Sequence, residues 1–88
     1  MRIEIRGLNF AITDALRTHT ERRLHFALGR FADVVLHTCV RLGDLNGPRG
    51  GADKACRLTA RLRHGGEIVV DDVDADIYAA IDRVAERA

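Results

Sequence analysis

The sequence predicts a small α+β domain in which two helices cover one face of a four-stranded, mostly antiparallel sheet. Three observations lead to this fold class. The length of 88 residues leaves room for one hydrophobic core. Residues 54–63 alternate regularly between apolar and polar side chains, which is the period of a half-buried strand. Two other segments, residues 13–29 and 74–88, have apolar side chains at helical spacing.

The first strand and the first helix are predicted in the first third of the chain. The stretch "RIEIRG" places Ile3 and Ile5 on the same face of a strand. Thr13 is a favourable N-cap, because its hydroxyl oxygen can accept a hydrogen bond from a free backbone N–H at the start of a helix. We expect this helix to end at about Gly29. Its expected buried side consists of Leu16, Thr20, Leu24, Ala27 and Phe31.

Three further strands are predicted between residues 33 and 72. In "DVVLHTCVRL", alternation places on one face Leu36, Thr38, Val40 and Leu42. In "KACRLTARLR", the apolar side chains share one face, and the other face is a basic ladder that consists of Arg57, Thr59, Arg61 and Arg63. The "HGG" that follows is typical of a hairpin turn, and "EIVVDD" is expected to pair as the next strand.

The last segment, "DADIYAAIDRVAERA", predicts a second helix. Asp74 is the expected N-cap, and the acidic residues precede the basic ones, as the helix dipole favours. The expected buried stripe consists of Ile77, Ile81, Val84 and Ala88. The order of elements is therefore β-α-β-β-β-α.

A glycine-rich stretch, "GDLNGPRGGADKACR", lies between the second and third strands. It holds four of the eight glycines, the only proline and the only lysine of the chain. A phosphate-binding P-loop opens a helix and places its lysine directly before Ser or Thr. Here Asp53 precedes Lys54 and a strand follows, so we interpret the stretch as a long connection and not as a nucleotide site. Long ordered connections are often functional.

The residue types that catalytic and metal sites need are scattered along the chain. Cys39 and Cys56 form no CxxC pair, the four histidines lack ligand spacing, and there is no serine. Helix capping and solvation explain the carboxylates of "DDVDAD". We therefore expect no metal, no cofactor, no small-molecule substrate and no enzymatic activity.

The sequence also favours a cytoplasmic location. No apolar run approaches the roughly 18 residues of a membrane helix, and the alternating start "MRIEIRGLNF" is unlike a signal peptide. Two cysteines are few for a small secreted scaffold, which indicates a reducing compartment. We expect no contact with a membrane.

The formal net charge of +1 hides a strong local asymmetry. Residues 49–63 include five basic residues and one acidic residue, whereas residues 67–82 include six acidic residues and no basic one. The basic ladder has two interpretations. Arginine keeps an exposed sheet face soluble and discourages edge pairing, and it also offers a planar donor fork to nucleic-acid phosphates.

The chain contains an Ile-Thr-x-Ala-Leu-Arg segment at residues 12–17, an Arg23-Leu24 step, Phe31, and an Asp-x-Tyr-Ala-Ala-Ile-Asp block at residues 76–82. In this order, and together with the glycine-rich stretch, these segments resemble single-domain members of the ribosome hibernation-promoting factor family, which includes the ribosome-associated inhibitor. The resemblance covers nearly the whole chain. It implies a fold similar to a double-stranded-RNA-binding domain, and a single ribosome-binding domain over residues 1–88 with no C-terminal dimerisation domain.

The resemblance also implies a function and a set of site residues. Family members are not enzymes. They bind the small ribosomal subunit in the channel where messenger and transfer RNA would lie, and they silence translation in stressed cells. The implied contacts run mainly from basic side chains to ribosomal RNA phosphates. The family's basic positions fall on Arg23 and Arg87; helix position adds Arg17, Arg22, Arg30 and Arg83, and the long connection adds Arg49 and Lys54.

Two other functions stay open at this point. A generic RNA-binding module would bind a structured RNA outside the ribosome, and it would not prefer intact small subunits over free duplex RNA. A protein-interaction domain would use its exposed sheet face, with weak self-association as one form. Charge reversal of the helix arginines should leave such a protein partner bound.

Overall fold

The computed structural model describes residues 2–45 and 53–88 of the chain. Its elements are β1 (Arg2–Leu8), α1 (Asp14–Leu28), a short 3-10 turn (Gly29–Phe31), β2 (Val35–Asp44), β3 (Lys54–Leu62), β4 (Glu67–Asp74) and α2 (Ile77–Arg87). This confirms the predicted order β-α-β-β-β-α. Neither helix in the described part of the chain is long and apolar enough to cross a membrane. Most of the glycine-rich connection, residues 46–52, lies outside the described residues.

The four strands form one sheet in the order β1-β2-β3-β4. β1 pairs with β2 in parallel, through the crossover that α1 provides, and the other two pairs are antiparallel. The buried side chains of both helices and of one sheet face form a single core, as the α+β prediction requires. The described elements leave the opposite sheet face uncovered. We call it the open sheet face.

Helix α1 begins as the sequence predicts. The Thr13 hydroxyl oxygen accepts a hydrogen bond from the Leu16 backbone N–H at 3.1 Å. Thr20 is buried because its hydroxyl donates to the Leu16 carbonyl oxygen at 2.8 Å, which satisfies the polar group inside the core. The prediction that Phe31 is buried is wrong. The helix ends at Leu28, so Phe31 falls in the 3-10 turn and is 42% exposed.

One prediction about the faces of β2 is also wrong. Thr38, Val40 and Leu42 are buried as expected, whereas Leu36 is exposed and Val35 is buried in its place. The register between β2 and β3 shifts between Val35 and His37, which is the signature of a β-bulge. The extra residue reverses the alternation. The side chains before the bulge therefore point to the faces opposite to those that regular alternation predicts.

The hairpin between β3 and β4 confirms the predicted turn. Gly65 and Gly66 have φ values of 95° and 90°, a region that glycine occupies without a steric penalty. Both strands are then in register along their whole length, so that each side chain of the basic ladder within β3 faces a side chain of β4.

Helix α2 begins two residues later than predicted. Asp76 is the N-cap, since its carboxylate accepts a hydrogen bond from the Tyr78 backbone N–H at 2.9 Å. Asp74 is not the cap, because its carboxylate accepts instead from the Asp76 backbone N–H at 2.8 Å. The predicted stripe is buried at Ile77, Ile81 and Val84, whereas Ala88 is exposed because the helix ends at Arg87; Ala80 and Ala85 are also buried.

Candidate nucleic-acid interface

The basic residues proposed for RNA contact form two groups: those without an ion pair to another described residue, and those that already form one. Arg17 and Arg22 lie exposed on α1, and neither makes a hydrogen bond or an ion pair with another described residue. Arg30 is exposed, and its guanidinium lies over the Phe31 ring at 5.0 Å from the centroid. These three arginines can therefore reach a phosphate without breaking an ion pair.

Arg23 instead joins the two helices. Its Nε lies 3.2 Å from Asp82 Oδ1, and its Nη2 lies 3.8 Å from Glu86 Oε1. The Arg23 Nε is buried and donates no hydrogen bond within the described residues, so this pair is electrostatic. His19 Nε2 lies 2.8 Å from the same Asp82 oxygen. Replacing Arg23 would therefore disturb the helix contact as well as any RNA contact.

The two arginines of α2 are held by carboxylates of β4. Arg83 donates from Nε to Asp72 Oδ2 and from Nη2 to Asp74 Oδ2, each at 2.6 Å. Arg87 Nη2 lies 2.9 Å from Asp72 Oδ2 and donates to the Asp71 carbonyl oxygen at 2.7 Å. The acidic cluster of "DDVDAD" is thus mainly a set of ion pairs, and capping explains only part of it.

These contacts shift the titration of the groups that make them. The Arg83 hydrogen bond, with help from the Val73 backbone N–H, holds the pKa of Asp72 below its ordinary value of 3.8. The pKa of Asp74 is lowered chiefly by the hydrogen bond from the Asp76 backbone N–H and then by Arg83. The pKa of Arg83 is raised by the same two carboxylates.

The lowered pKa of Asp72 predicts a pH-dependent stability. Because the folded-state pKa is below that of the unfolded chain, the stabilisation is complete above the unfolded-chain value and is lost as pH falls through the folded value. We expect Asp72→Asn to lower the melting temperature at pH 7, and the difference from the parent to shrink as the pH falls below the ordinary carboxyl pKa of 3.8 and through the lowered folded value. Thermal unfolding followed by circular dichroism from pH 7 to pH 2 measures it.

Asp71→Asn is the matched control, since it removes one carboxylate of the same strand without touching Arg83. A difference that stays constant down to pH 2 would show that Asp72→Asn acts through packing and not through the ion pairs.

The long connection contributes one described basic residue. Lys54 Nζ lies 3.2 Å from Asp44 Oδ2 and 3.3 Å from Asp53 Oδ2. The hydrogen bond to Asp44, followed by that to Asp53, raises the pKa of Lys54. The ammonium group of Lys54 therefore links the two ends of the connection, where Asp44 and Asp53 lie. Arg49 lies outside the described residues, so its contribution stays a prediction.

The open sheet face holds further arginines that the sequence interpretation did not include in the site. Arg6 on β1 is the register partner of Arg41 on β2, which in turn is opposite Arg57 on β3. Alternation in "RIEIRG" and "HTCVR" puts these side chains on polar strand faces, but only the pairing register shows that they share one row.

Within residues 2–45 and 53–88, no group of three or more His, Cys, Asp or Glu side chains could hold a metal ion. Both cysteines are free thiols. Burial, with a smaller effect of Asp72, raises the pKa of the Cys56 thiol to about 12, so that this group is a poor nucleophile.

The chain is similar to known proteins in both sequence and fold. The model of the family described as Sigma 54 modulation protein / S30EA ribosomal protein matches residues 3–88. The chain belongs to this family. The N-terminal domain of Protein Y from Thermus thermophilus is 36% identical to this S30EA-family chain, with a TM-score of 0.79. That match covers 99% of this chain and 90% of the Thermus structure.

A second solved structure supports the fold of the S30EA-family chain. A ribosomal subunit interface protein from Coxiella burnetii has a TM-score of 0.82 at 22% identity, over 99% of this chain and 88% of that one. No curated protein is similar enough to count as a match.

Proposed function

We propose that this S30EA-family chain is a cytoplasmic translation inhibitor that binds the small ribosomal subunit and occludes the channel of messenger and transfer RNA. It acts by occupying space, without catalysis, cofactor or metal. The observation that supports this most directly is the family match over residues 3–88. The Coxiella neighbour, whose name places it at a ribosomal subunit interface, agrees with it. The domain proposed to bind spans residues 1–88.

We expect the basic residues that form no ion pair within the protein to contribute most to RNA binding. Arg17, Arg22 and Arg30 come first, because each can donate to a phosphate and lose no ion pair. The paired residues come second, since phosphate must share or replace their carboxylates: these are Arg23, Lys54, Arg83 and Arg87. Arg49 completes the proposed set.

The test is co-sedimentation with purified small subunits and whole ribosomes, at low and near-physiological salt. We expect saturable binding of the parent chain at both salt concentrations. Arg17→Glu combined with Arg22→Glu should weaken binding at least about tenfold, because each charge-assisted hydrogen bond is replaced by repulsion from phosphate. Arg17→Lys with Arg22→Lys keeps the charge and is the matched control, which should retain most of the affinity.

Three outcomes would count against the proposal. Absence of sedimentation at both salt concentrations would overturn it in favour of a protein-interaction domain. Equal affinity for free duplex RNA and for small subunits would point to a generic RNA-binding module. Unchanged binding of the double glutamate variant would remove α1 from the interface.

A further inference from the structure

The open sheet face carries a net positive charge and is separate from the helix arginines, although three of its five arginines are ion-paired with its three carboxylates: Arg6 with Glu4, Arg57 with Asp71, and Arg61 with Glu67. Its side chains stand in four rows across the strands, and two of these rows are basic. One row runs from Arg6 through Arg41 to Arg57, and the other runs from Arg2 through His37 to Arg61. The two rows are four residues apart along each strand, which is about 13 Å.

The charge on this face is not balanced. Five arginines face three carboxylates, and the carboxylates stand only on the outer strands: Glu4 on β1, and Glu67 and Asp71 on β4. The central strands β2 and β3 have arginine and His37 on this face and no acidic residue. Arg41, at the middle of its row, makes no hydrogen bond or ion pair with another described residue.

Solubility alone does not account for such a row. Like charges directly opposite each other on neighbouring strands destabilise a sheet, whereas alternating signs would keep the face equally soluble. Here Arg41 is directly opposite an arginine on both sides, Arg6 and Arg57. Proteins keep arrangements that lower folding stability mainly at functional sites, so the arginine row is expected to bind a ligand.

We propose that the open sheet face binds the sugar-phosphate backbone of double-helical RNA, as a second RNA surface on the face opposite the helices. The guanidinium group fits phosphate oxygens with two parallel donors. None of the four rows includes Phe, Tyr or Trp, so this face lacks the platforms on which single-stranded bases stack. Between the two basic rows the central strands have only the short side chains of Cys39 and Thr59, which let a backbone approach the sheet closely.

A protein segment is the competing ligand that the test must separate. A groove of about 670 Å³ borders the arginine row, and its wall includes Leu8, Leu45 and Val73. Leu8 is 73% exposed and Leu45 is 61% exposed. An acidic segment with apolar side chains would contact these three residues, whereas an RNA backbone would contact only the arginines.

The experiment measures binding of a 20-base-pair RNA duplex by fluorescence anisotropy between about 50 and 200 mM salt. For Arg41→Gln with Arg57→Gln we expect weaker binding and a slope of log K against log salt that is smaller by about two, because the variant neutralises two fewer phosphates. Duplexes of different sequence should respond alike. Asp71→Asn is the matched control on the same face. It frees Arg57 from its 3.2 Å partner and should tighten binding.

A second readout keeps the test independent of folding. Removal of like charges from the row should leave the melting temperature of the arginine variant equal to or above that of the parent. An unchanged salt slope in a folded variant overturns the inference. The inference is also overturned if the arginine variant binds the duplex as tightly as the parent does but, unlike the parent, fails to bind an octapeptide of alternating Asp and Leu. That result would assign the face to a protein partner.

The inference rests on the proposed function only in taking ribosomal RNA as the natural ligand, and the two can fail separately. If the α1 glutamate variant no longer binds small subunits and the sheet variant does not change duplex binding, the proposed function stands and this inference falls. If the sheet variant no longer binds the duplex while the parent chain does not bind small subunits, the inference stands and the proposed function falls.

Discussion

Replacing Leu58 by alanine is expected to lower the free energy of unfolding by about 2–5 kcal/mol. Leu58 is fully buried on the central strand β3 and belongs to the core between sheet and helices. The substitution removes apolar contacts and leaves a cavity that the surrounding side chains fill only in part. An 88-residue domain has a total stability of about 4–13 kcal/mol, so this loss approaches the unfolding threshold.

Urea unfolding at pH 7, followed by circular dichroism, measures the change. Leu8→Ala is the matched control, because Leu8 is 73% exposed at the end of the edge strand β1. Its effect should stay within about 0.5 kcal/mol. Equal unfolding midpoints for the two leucine variants would contradict the position of the core.

The second large effect is expected for Gly7→Ala. A Cβ atom on Gly7 would overlap the carbonyl oxygen of Phe10 and lie 3.1 Å from its carbonyl carbon. Because both atoms belong to the backbone, rotation of a side chain cannot relieve the clash, and the turn after β1 must move. We expect a loss of about 1–3 kcal/mol, which lowers the melting temperature by at least about 4 °C.

Gly43→Ala provides the control on the neighbouring strand. A Cβ atom there would lie 3.5 Å from the Leu8 carbonyl oxygen, an ordinary contact distance. Thermal unfolding of the two variants should therefore separate them clearly. A Gly7→Ala protein as stable as the Gly43→Ala protein would mean that the chain from β1 to Phe10 follows another path.

Periodicity predicted the elements because each depends on neighbours in sequence. The Thr13 cap, the alternation of β3 and the glycine turn are local features, and all three are present in the structure. The errors arose where one residue changed the register. The bulge in β2 turned Leu36 outward, and the later start of α2 made Asp76 the cap.

The candidate site was less predictable, since its electrostatics depend on residues distant in sequence. Arg23 meets Asp82 across the helix pair, and Arg83 meets Asp72 between helix and sheet. No spacing rule connects these positions. The arginine row of the open sheet face likewise appears only when the strand register is known. Sequence reasoning therefore found candidate basic residues, but it could not tell which of them are already paired.

The parallel attachment of β1 has a consequence for the order in which the domain forms. The strands β2, β3 and β4 follow one another in sequence. In contrast, β1 is separated from its partner β2 by the whole of α1, so that Arg2 pairs with His37 only after a long loop has closed. Closing that longer loop costs entropy before its hydrogen bonds form, so the three-stranded meander should assemble first and β1 last. Both β1 and β4 are edge strands, and of the two only β1 depends on closure of the longer loop, so its amide protons should exchange faster than those of the central strands β2 and β3. Arg2 and Arg6 would then be the first arginines to leave the open sheet face during local unfolding.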